Sequence, residues 1–134
     1  MQELEKQLKE DISRIGLTEE FNLSLRPYSK TYFGRYDPNT STVIIYVQKN
    51  TEGDLYPYVD LLLTTVHEVI HCVQWHDPNF KRVKGVMHNT EFKKLYARYS
   101  NRAKAMLLLR EVNRNANIYS EDCREVLNAC SISH

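Results

Sequence analysis

The feature that most constrains the fold is the segment His67-Glu68-Val69-Ile70-His71, in which two histidines lie four residues apart. On an α-helix, residues i and i+4 are neighbours with Cβ atoms about 5–6 Å apart, so both imidazoles can reach one metal ion. Glu68 is turned by one helical step, where its carboxylate can take a proton from a zinc-activated water. The pattern predicts a helix that carries two zinc ligands and a general base.

The sequence around this motif supports a helix. Apolar residues recur at helical spacing on one side of it, namely Leu62, Val66, Val69, Ile70 and Val73. The helix is expected to open within "TEGDLYPYVD", with Asp54 as a candidate N-cap and Pro57 in the first turn. It should end near Pro78, because the residue before a proline disfavours helical geometry.

A catalytic zinc site needs a third protein ligand and leaves its fourth position open. His88 ends a predicted loop over residues 77–88, directly before the next helix, and from there it can turn back to the metal. Glu91 is the alternative, since a glutamate from a following helix is another common third ligand. His76 is expected to face solvent or to support the site from outside, and His134, the last residue, to be mobile.

The rest of the chain predicts an α+β fold. Residues 3–15 form an amphipathic helix that Gly16 ends. The runs "FNLSLRPYS", "TYFGRYD" and "STVIIYV" predict three short strands in a small antiparallel sheet. The last run could be an edge strand that pairs with an extended peptide, or a central strand with no free edge.

A long helix is predicted to follow the loop, with Asn89 as its N-cap. Its apolar positions fall at i, i+3, i+4 and i+7 and continue in that register: Phe92, Leu95, Tyr96, Tyr99, Ala103, Met106 and Leu107. Tyr96, Tyr99 and His76 are candidate oxyanion donors, but the helical spacing of both tyrosines favours a place in the core.

Charge is unevenly distributed along the chain. Lys and Arg exceed Asp and Glu only in residues 81–114, whereas the segments on either side are acidic. This basic segment is either an electrostatic surface for phosphates, and so a candidate DNA-binding surface, or the solvated face of an amphipathic helix.

Composition favours an intracellular protein with no membrane segment. No apolar run approaches the roughly 20 residues that span a bilayer, and the charged N-terminus is unlike a secretory signal. Cys72, Cys123 and Cys130 are odd in number and form no C-x-x-C pair, so reduced thiols in a cytoplasmic compartment are expected.

Two segments together, "HEVIHCVQW" and "MHNTEFKKL", resemble the SprT-like (Spartan-related) zinc metalloprotease family. His88 matches the family's third histidine, and Phe92 the aromatic residue four positions on. "GRYDPNTSTVIIYV" is similar to the family's segment upstream of the motif. The family's glycines and proline beside the third histidine are replaced, giving Met87, Asn89 and Thr90.

The resemblance, over roughly residues 30–100, implies a small zincin-like domain: a three-stranded sheet packed with the motif helix and a following long helix. One domain is expected over residues 1–134, with a core at about 20–112 and a tail at 113–134. The implied function is a peptidase with one Zn²⁺ held by His67, His71 and His88 and with Glu68 as general base. It would act on proteins or peptides, including DNA-associated proteins.

Two other functions remain open from the sequence. One is a regulatory peptidase that uses Glu91 as the third ligand. The other is a non-catalytic module that binds DNA or protein through its basic helix, against which Glu68 argues, because a purely structural site gains nothing from a base.

Overall fold

The structure, a computed structural model, describes residues 1–80 and 85–118, the last three by their backbone alone. Its elements are α1 (Gln2–Arg14), β1 (Asn22–Tyr28), β2 (Gly34–Asp37), β3 (Thr42–Gln48), α2 (Tyr58–His76) and α3 (Thr90–Ile118). This confirms the α+β class. Cys123, Cys130 and most of the predicted tail lie outside the described residues.

The chain divides into two compact units, Met1–Ala103 and Lys104–His134. The first unit contains the whole sheet, α1, α2 and the start of α3. In the described part of the second unit, Leu108, Leu109 and Val112 are exposed. No helix of the described ranges is both long and apolar enough to span a bilayer.

The three strands form one mixed sheet in the order β1-β3-β2. β3 pairs in parallel with β1 and antiparallel with β2, so that Val43 lies opposite both Leu23 and Tyr36. The prediction of a purely antiparallel sheet is therefore wrong. It assumed that strands adjacent in sequence are adjacent in space, which is frequent but not general. Here the β2–β3 hairpin inserts β3 between β1 and β2.

β3 takes the centre of the sheet because it is apolar on both faces. Its residues Val43, Ile44, Ile45 and Val47 are all buried, and a strand covered on both faces has a continuous apolar run rather than an alternating one. The sequence left open whether this strand lies at the edge or at the centre of the sheet, and the structure shows it at the centre. β3 therefore has no free edge for an extended peptide.

Gly34 allows α2 to approach the sheet closely. A Cβ atom at this position would lie 2.9 Å from the carbonyl oxygen of Ile44 and 2.9 Å from Cγ2 of Thr64. Both distances are too short for a carbon contact, so only glycine fits between β3 and α2. This contact sets the distance from the sheet to the motif helix.

α1 is held against the start of α2 by a buried carboxylate. Asp11 is fully buried and accepts hydrogen bonds from Gln7, Arg14 and the hydroxyl of Tyr58, the last at 2.6 Å. A buried charge is tolerated only when it is satisfied in this way. Gly16 follows α1 with a φ of +101°, which confirms its predicted role at the helix end.

α2 begins later than the sequence suggested. Its N-cap is Pro57, so the prediction of Asp54 as N-cap is wrong. Asp54 instead closes the turn after β3, where its carboxylate accepts a hydrogen bond from Asn50 at 2.7 Å. α2 ends at His76, and Asp77 before Pro78 is extended, as predicted.

α3 begins as the sequence predicts. The side chain of Asn89 accepts a hydrogen bond from the backbone N–H of Phe92 at 2.9 Å, which is the N-cap geometry. In the first unit the predicted apolar positions are buried or half-buried, with Phe92 and Ala103 fully covered. The cap fixes where α3 starts and therefore where His88 lies.

Candidate metal centre

α2 presents His67 and His71 to the same side, one turn apart, with ring centroids separated by 5.0 Å. This is the consequence of their i, i+4 spacing on a regular helix. His71 is only 6% exposed, whereas about a third of the His67 side chain is exposed. The pair therefore lies at the margin of the core, with one ring open to solvent.

His88 turns back from the loop before α3 to meet this pair. Its Nε2 lies 3.0 Å from Nε2 of His71 and 3.1 Å from Nε2 of His67. Three nitrogens bound to one tetrahedral zinc at 2.0–2.1 Å would lie about 3.3–3.4 Å apart. Both distances to His88 are within a few tenths of an ångström of this value, and all three ligand atoms lie within 4.8 Å of one another, so the three histidines could hold one metal ion.

The described residues supply no fourth ligand to this group. His67, His71 and His88 are the only His, Cys, Asp or Glu side chains within those ranges whose ligand atoms all lie within 4.8 Å of one another. Glu91, the alternative third ligand, lies in the first turn of α3 and is not part of the group. The structure brings His88 rather than Glu91 to the two helix histidines.

Gln74 connects the helix histidine to the loop that carries His88. Its side-chain Nε2 donates a hydrogen bond to the carbonyl oxygen of Met87 at 2.6 Å, and its Oε1 lies 2.7 Å from Nδ1 of His71. An amide oxygen only accepts hydrogen bonds, so Nδ1 of His71 must carry the proton. The lone pair of His71 is then on Nε2, the atom that faces His67 and His88.

Phe92 forms one wall of the cluster. Its ring stacks on His71 with a centroid distance of 4.5 Å and an interplanar angle of 27°, and it lies within 5.0 Å of the rings of His67 and His88. Because Phe92 is in the first turn of α3, this packing ties the orientation of all three imidazoles to the start of that helix.

The electrostatics of the cluster keep the helix imidazoles neutral. Burial, with further contributions from His71 and His88, lowers the pKa of His67 from 6.5 to about 4. Burial also lowers the pKa of His71. Neutral imidazole is the form that binds metal ions, so both side chains are in that form at neutral pH.

Glu68 lies beside the cluster and outside its ligand group. Its side chain is 7% exposed, and its Oε2 is 3.9 Å from Nε2 of His67. Burial raises the pKa of Glu68 from 4.5 to about 7. A carboxyl group with a pKa near neutrality can both accept and return a proton at physiological pH.

Of the three candidate oxyanion donors, the structure places only Tyr96 at the cluster. Its ring lies 5.6 Å from that of His67, and no described residue hydrogen-bonds to its hydroxyl. Tyr99 lies instead under the guanidinium of Arg102. His76 lies among Tyr36, Ser41 and Glu19, and its Nε2 is 3.3 Å from the Tyr36 hydroxyl.

Gln74 is the site residue that sequence reasoning missed, and Tyr96 is one that it named as a candidate but favoured as a core residue. Gln74 is a polar residue on the buried face of α2, three positions after His71, and that spacing could have identified it as a partner of the histidine. Tyr96 falls on the apolar stripe of α3, where a site residue and a core residue have the same spacing. Only its contact with the ring of His67 in the folded structure indicates that Tyr96 is a site residue.

Part of the basic segment is exposed on α3 within the first unit. Lys93, Lys94 and Arg98 face solvent, whereas Arg102 donates a hydrogen bond to the carbonyl oxygen of Ile15 at 3.1 Å. Lys81, Arg82 and Lys84 lie outside the described residues. The described basic residues are thus in part solvated and in part bound to the scaffold.

No family model matches this chain, and comparison with curated proteins and with solved structures gives no match either. The assignment of function therefore rests on the geometry and chemistry of the residues themselves.

Proposed function

We propose that this protein is a zinc-dependent metallopeptidase of a small zincin-like type. The observation that carries the proposal is the position of His88, whose Nε2 lies about 3 Å from Nε2 of both His67 and His71, with the buried carboxylate of Glu68 beside them. Three protein ligands with one open position is the arrangement of catalytic zinc, whereas structural zinc is closed by four.

Zinc is the metal that best fits this donor set. Imidazole nitrogens also suit copper, iron and nickel. Three neutral imidazoles with one open position are, however, a known catalytic zinc set. When bound, zinc would supply Lewis acidity and a water of pKa near 7.

We assign the other steps of peptide hydrolysis to residues of the chain. Glu68 takes the proton of the attacking water and returns it to the nitrogen of the leaving amine, which its pKa near 7 permits in both directions. The Tyr96 hydroxyl is the donor proposed for the developing oxyanion, because its ring lies 5.6 Å from that of His67. Burial raises the pKa of this tyrosine, so the hydroxyl keeps its proton. Gln74 holds His71 in the tautomer that exposes Nε2.

The test is hydrolysis of a fluorescently labelled, unfolded protein by the zinc-loaded chain. Glu68→Gln should retain zinc and lose hydrolysis by a factor of roughly 100 or more, since general-base catalysis contributes about that much. Glu91→Gln, an acidic residue close in sequence but outside the histidine group, is the matched control. Full activity of the Glu68→Gln protein, or activity that resists removal of the metal, would exclude the mechanism.

A second proposal concerns DNA-associated proteins as substrates. It is supported only by the exposed Lys93, Lys94 and Arg98 on the helix that follows His88. Duplex DNA binding that weakens linearly with the logarithm of salt concentration would support it. Absence of binding at low salt would leave a peptidase that does not act near DNA.

A further inference from the structure

A cavity of about 290 Å³ adjoins the histidine cluster in the first unit. Its lining includes Phe33 before β2, Tyr46 on β3, Tyr56 before α2, Asp60 in the first turn of α2 and Tyr96 on α3. The Tyr96 ring also contacts the ring of His67, at a centroid distance of 5.6 Å. The cavity and the histidine cluster therefore share a wall.

Half of the described lining residues are aromatic, and Leu61, Leu63 and Thr64 are its other uncharged members. Phe33 and Tyr56 form an edge-to-face pair with centroids 5.7 Å apart and an interplanar angle of 63°. Phe33 is 64% exposed, and the tyrosines are half-buried. The faces of such rings carry a negative quadrupole, which attracts cations placed over them.

Of the described residues that line the cavity, Asp60 alone carries a formal charge. Its side chain is exposed, and it forms no ion pair with any residue in the described ranges. Among the residues that the structure describes, no lysine, arginine or histidine lines the cavity. The described part of the lining is thus net negative.

We propose that this cavity binds the side chain of a lysine or arginine of the substrate, close to the bond that is cleaved. The inference rests on the proposed peptidase function and names the substrate side chain that such a site would select. A cationic head satisfies both the aromatic faces and the Asp60 carboxylate, and the aliphatic stem packs against the rings. An acidic side chain is repelled, and an uncharged one leaves Asp60 without a partner.

The size of the cavity agrees with one side chain. Pockets for complete small-molecule ligands have volumes of about 300–1,000 Å³, so 290 Å³ lies just below that range. A lysine or arginine that belongs to an extended peptide needs only this much space, because its backbone remains outside, along the histidine cluster.

The experiment measures peptide binding to zinc-loaded Glu68→Gln protein, so that catalysis is not needed for the signal. The probes are fluorescent Ala/Ser peptides with one central lysine, norleucine, phenylalanine or glutamate. Because the flanking residues are all Ala or Ser, each peptide can bind in the register that places its central residue in the cavity. The lysine peptide should bind roughly 5- to 30-fold more tightly than the norleucine peptide.

Asp60→Asn in the same background should remove most of this lysine preference. Glu52→Gln removes the same charge from an exposed side chain outside the cavity and should preserve it. Equal or tighter binding of the norleucine or phenylalanine peptide, no measurable binding of the lysine peptide, or an unchanged preference in Asp60→Asn would each overturn the proposal.

The two proposals fail in different ways. Lysine selectivity that depends on Asp60, in a protein that hydrolyses no peptide when Glu68 is intact, would reject the peptidase function and retain the cavity as a cation site. Glu68-dependent hydrolysis without lysine selectivity would retain the peptidase and reject the cavity.

Discussion

Gln74 and His71 form the contact that prepares the cluster for a metal ion: Oε1 of Gln74 lies 2.7 Å from Nδ1 of His71. The orientation of the amide is set by its other end, because only an N–H group can donate to the Met87 carbonyl at 2.6 Å. One side chain thus fixes the tautomer of a helix histidine and the position of the loop next to His88. Such supporting contacts usually strengthen metal binding considerably.

Gln74→Ala should weaken zinc binding by roughly 10- to 100-fold, since both hydrogen bonds are lost. Gln74→Glu keeps an acceptor for His71 but cannot donate to Met87, so it should fall between the wild type and Gln74→Ala. Competition with a chromophoric chelator gives the dissociation constants. Wild-type affinity in Gln74→Ala would show that the contact has no part in metal binding.

His88→Ala should reduce zinc affinity far more than Glu91→Ala. His88 provides one of the three converging nitrogens, whereas Glu91 is not part of the ligand group. The same competition assay applies, with circular dichroism as a check that both variants remain folded. A larger loss of zinc affinity in Glu91→Ala would identify Glu91 as the third ligand. It would then favour the regulatory-peptidase alternative.

Glu68 should destabilise the metal-free protein as pH rises. Because burial raises the pKa of Glu68 from 4.5 to about 7, the folded state binds more protons than the unfolded state between these values. Glu68→Gln should therefore be about as stable as wild type near pH 4.5 and more stable above pH 7. The difference should reach up to about 3 kcal/mol.

Urea unfolding in the presence of a chelator, at pH 5 and pH 8, measures this difference. Glu52→Gln, at an exposed position, should show no pH-dependent gain over the wild type. The effect of His67 on stability has the opposite pH dependence. Its pKa is lowered from 6.5 to about 4, so the free energy of unfolding decreases as the pH falls below 6.5. An equal pH dependence in wild type and Glu68→Gln would contradict the burial of a titrating Glu68.

Gly34→Ala should destabilise the fold by roughly 1–3 kcal/mol, the usual cost of overpacking. The new methyl group would meet the Ile44 carbonyl and the Thr64 methyl group at 2.9 Å. Adding Thr64→Ser removes only the second contact and should recover part of the loss. Urea unfolding of both proteins measures the loss of stability and its recovery. An unchanged midpoint in Gly34→Ala would contradict the close approach of α2 to the sheet.

The local parts of this structure could be predicted from the sequence, whereas the pairing of distant parts could not. The spacing of His67 and His71 and the N-cap at Asn89 are properties of a single helix, and the structure shows both. The position of β1 is not such a property. The alternation of apolar and polar residues in β1 is the same whether β1 pairs with β2 or with β3. The sequence of β1 alone therefore does not distinguish a mixed sheet from an antiparallel one.

The same limit applies to the candidate metal centre. His88 is 17 residues from His71, and only the start of α3 at Asn89 and the stacking of Phe92 on His71 bring the two together. Asp54 shows the reverse error: its residue type suits a helix N-cap, but its contact with Asn50 makes it part of a turn.

The most direct test of a three-histidine zinc site is X-ray absorption at the zinc edge, with the zinc content of the purified chain measured in parallel. One zinc per chain is expected, with three imidazole nitrogens and one further light atom at about 2.0–2.1 Å, and one imidazole should be lost in His88→Ala. A protein that binds no stoichiometric zinc, or a shell with fewer than three imidazoles, would contradict the three-histidine site.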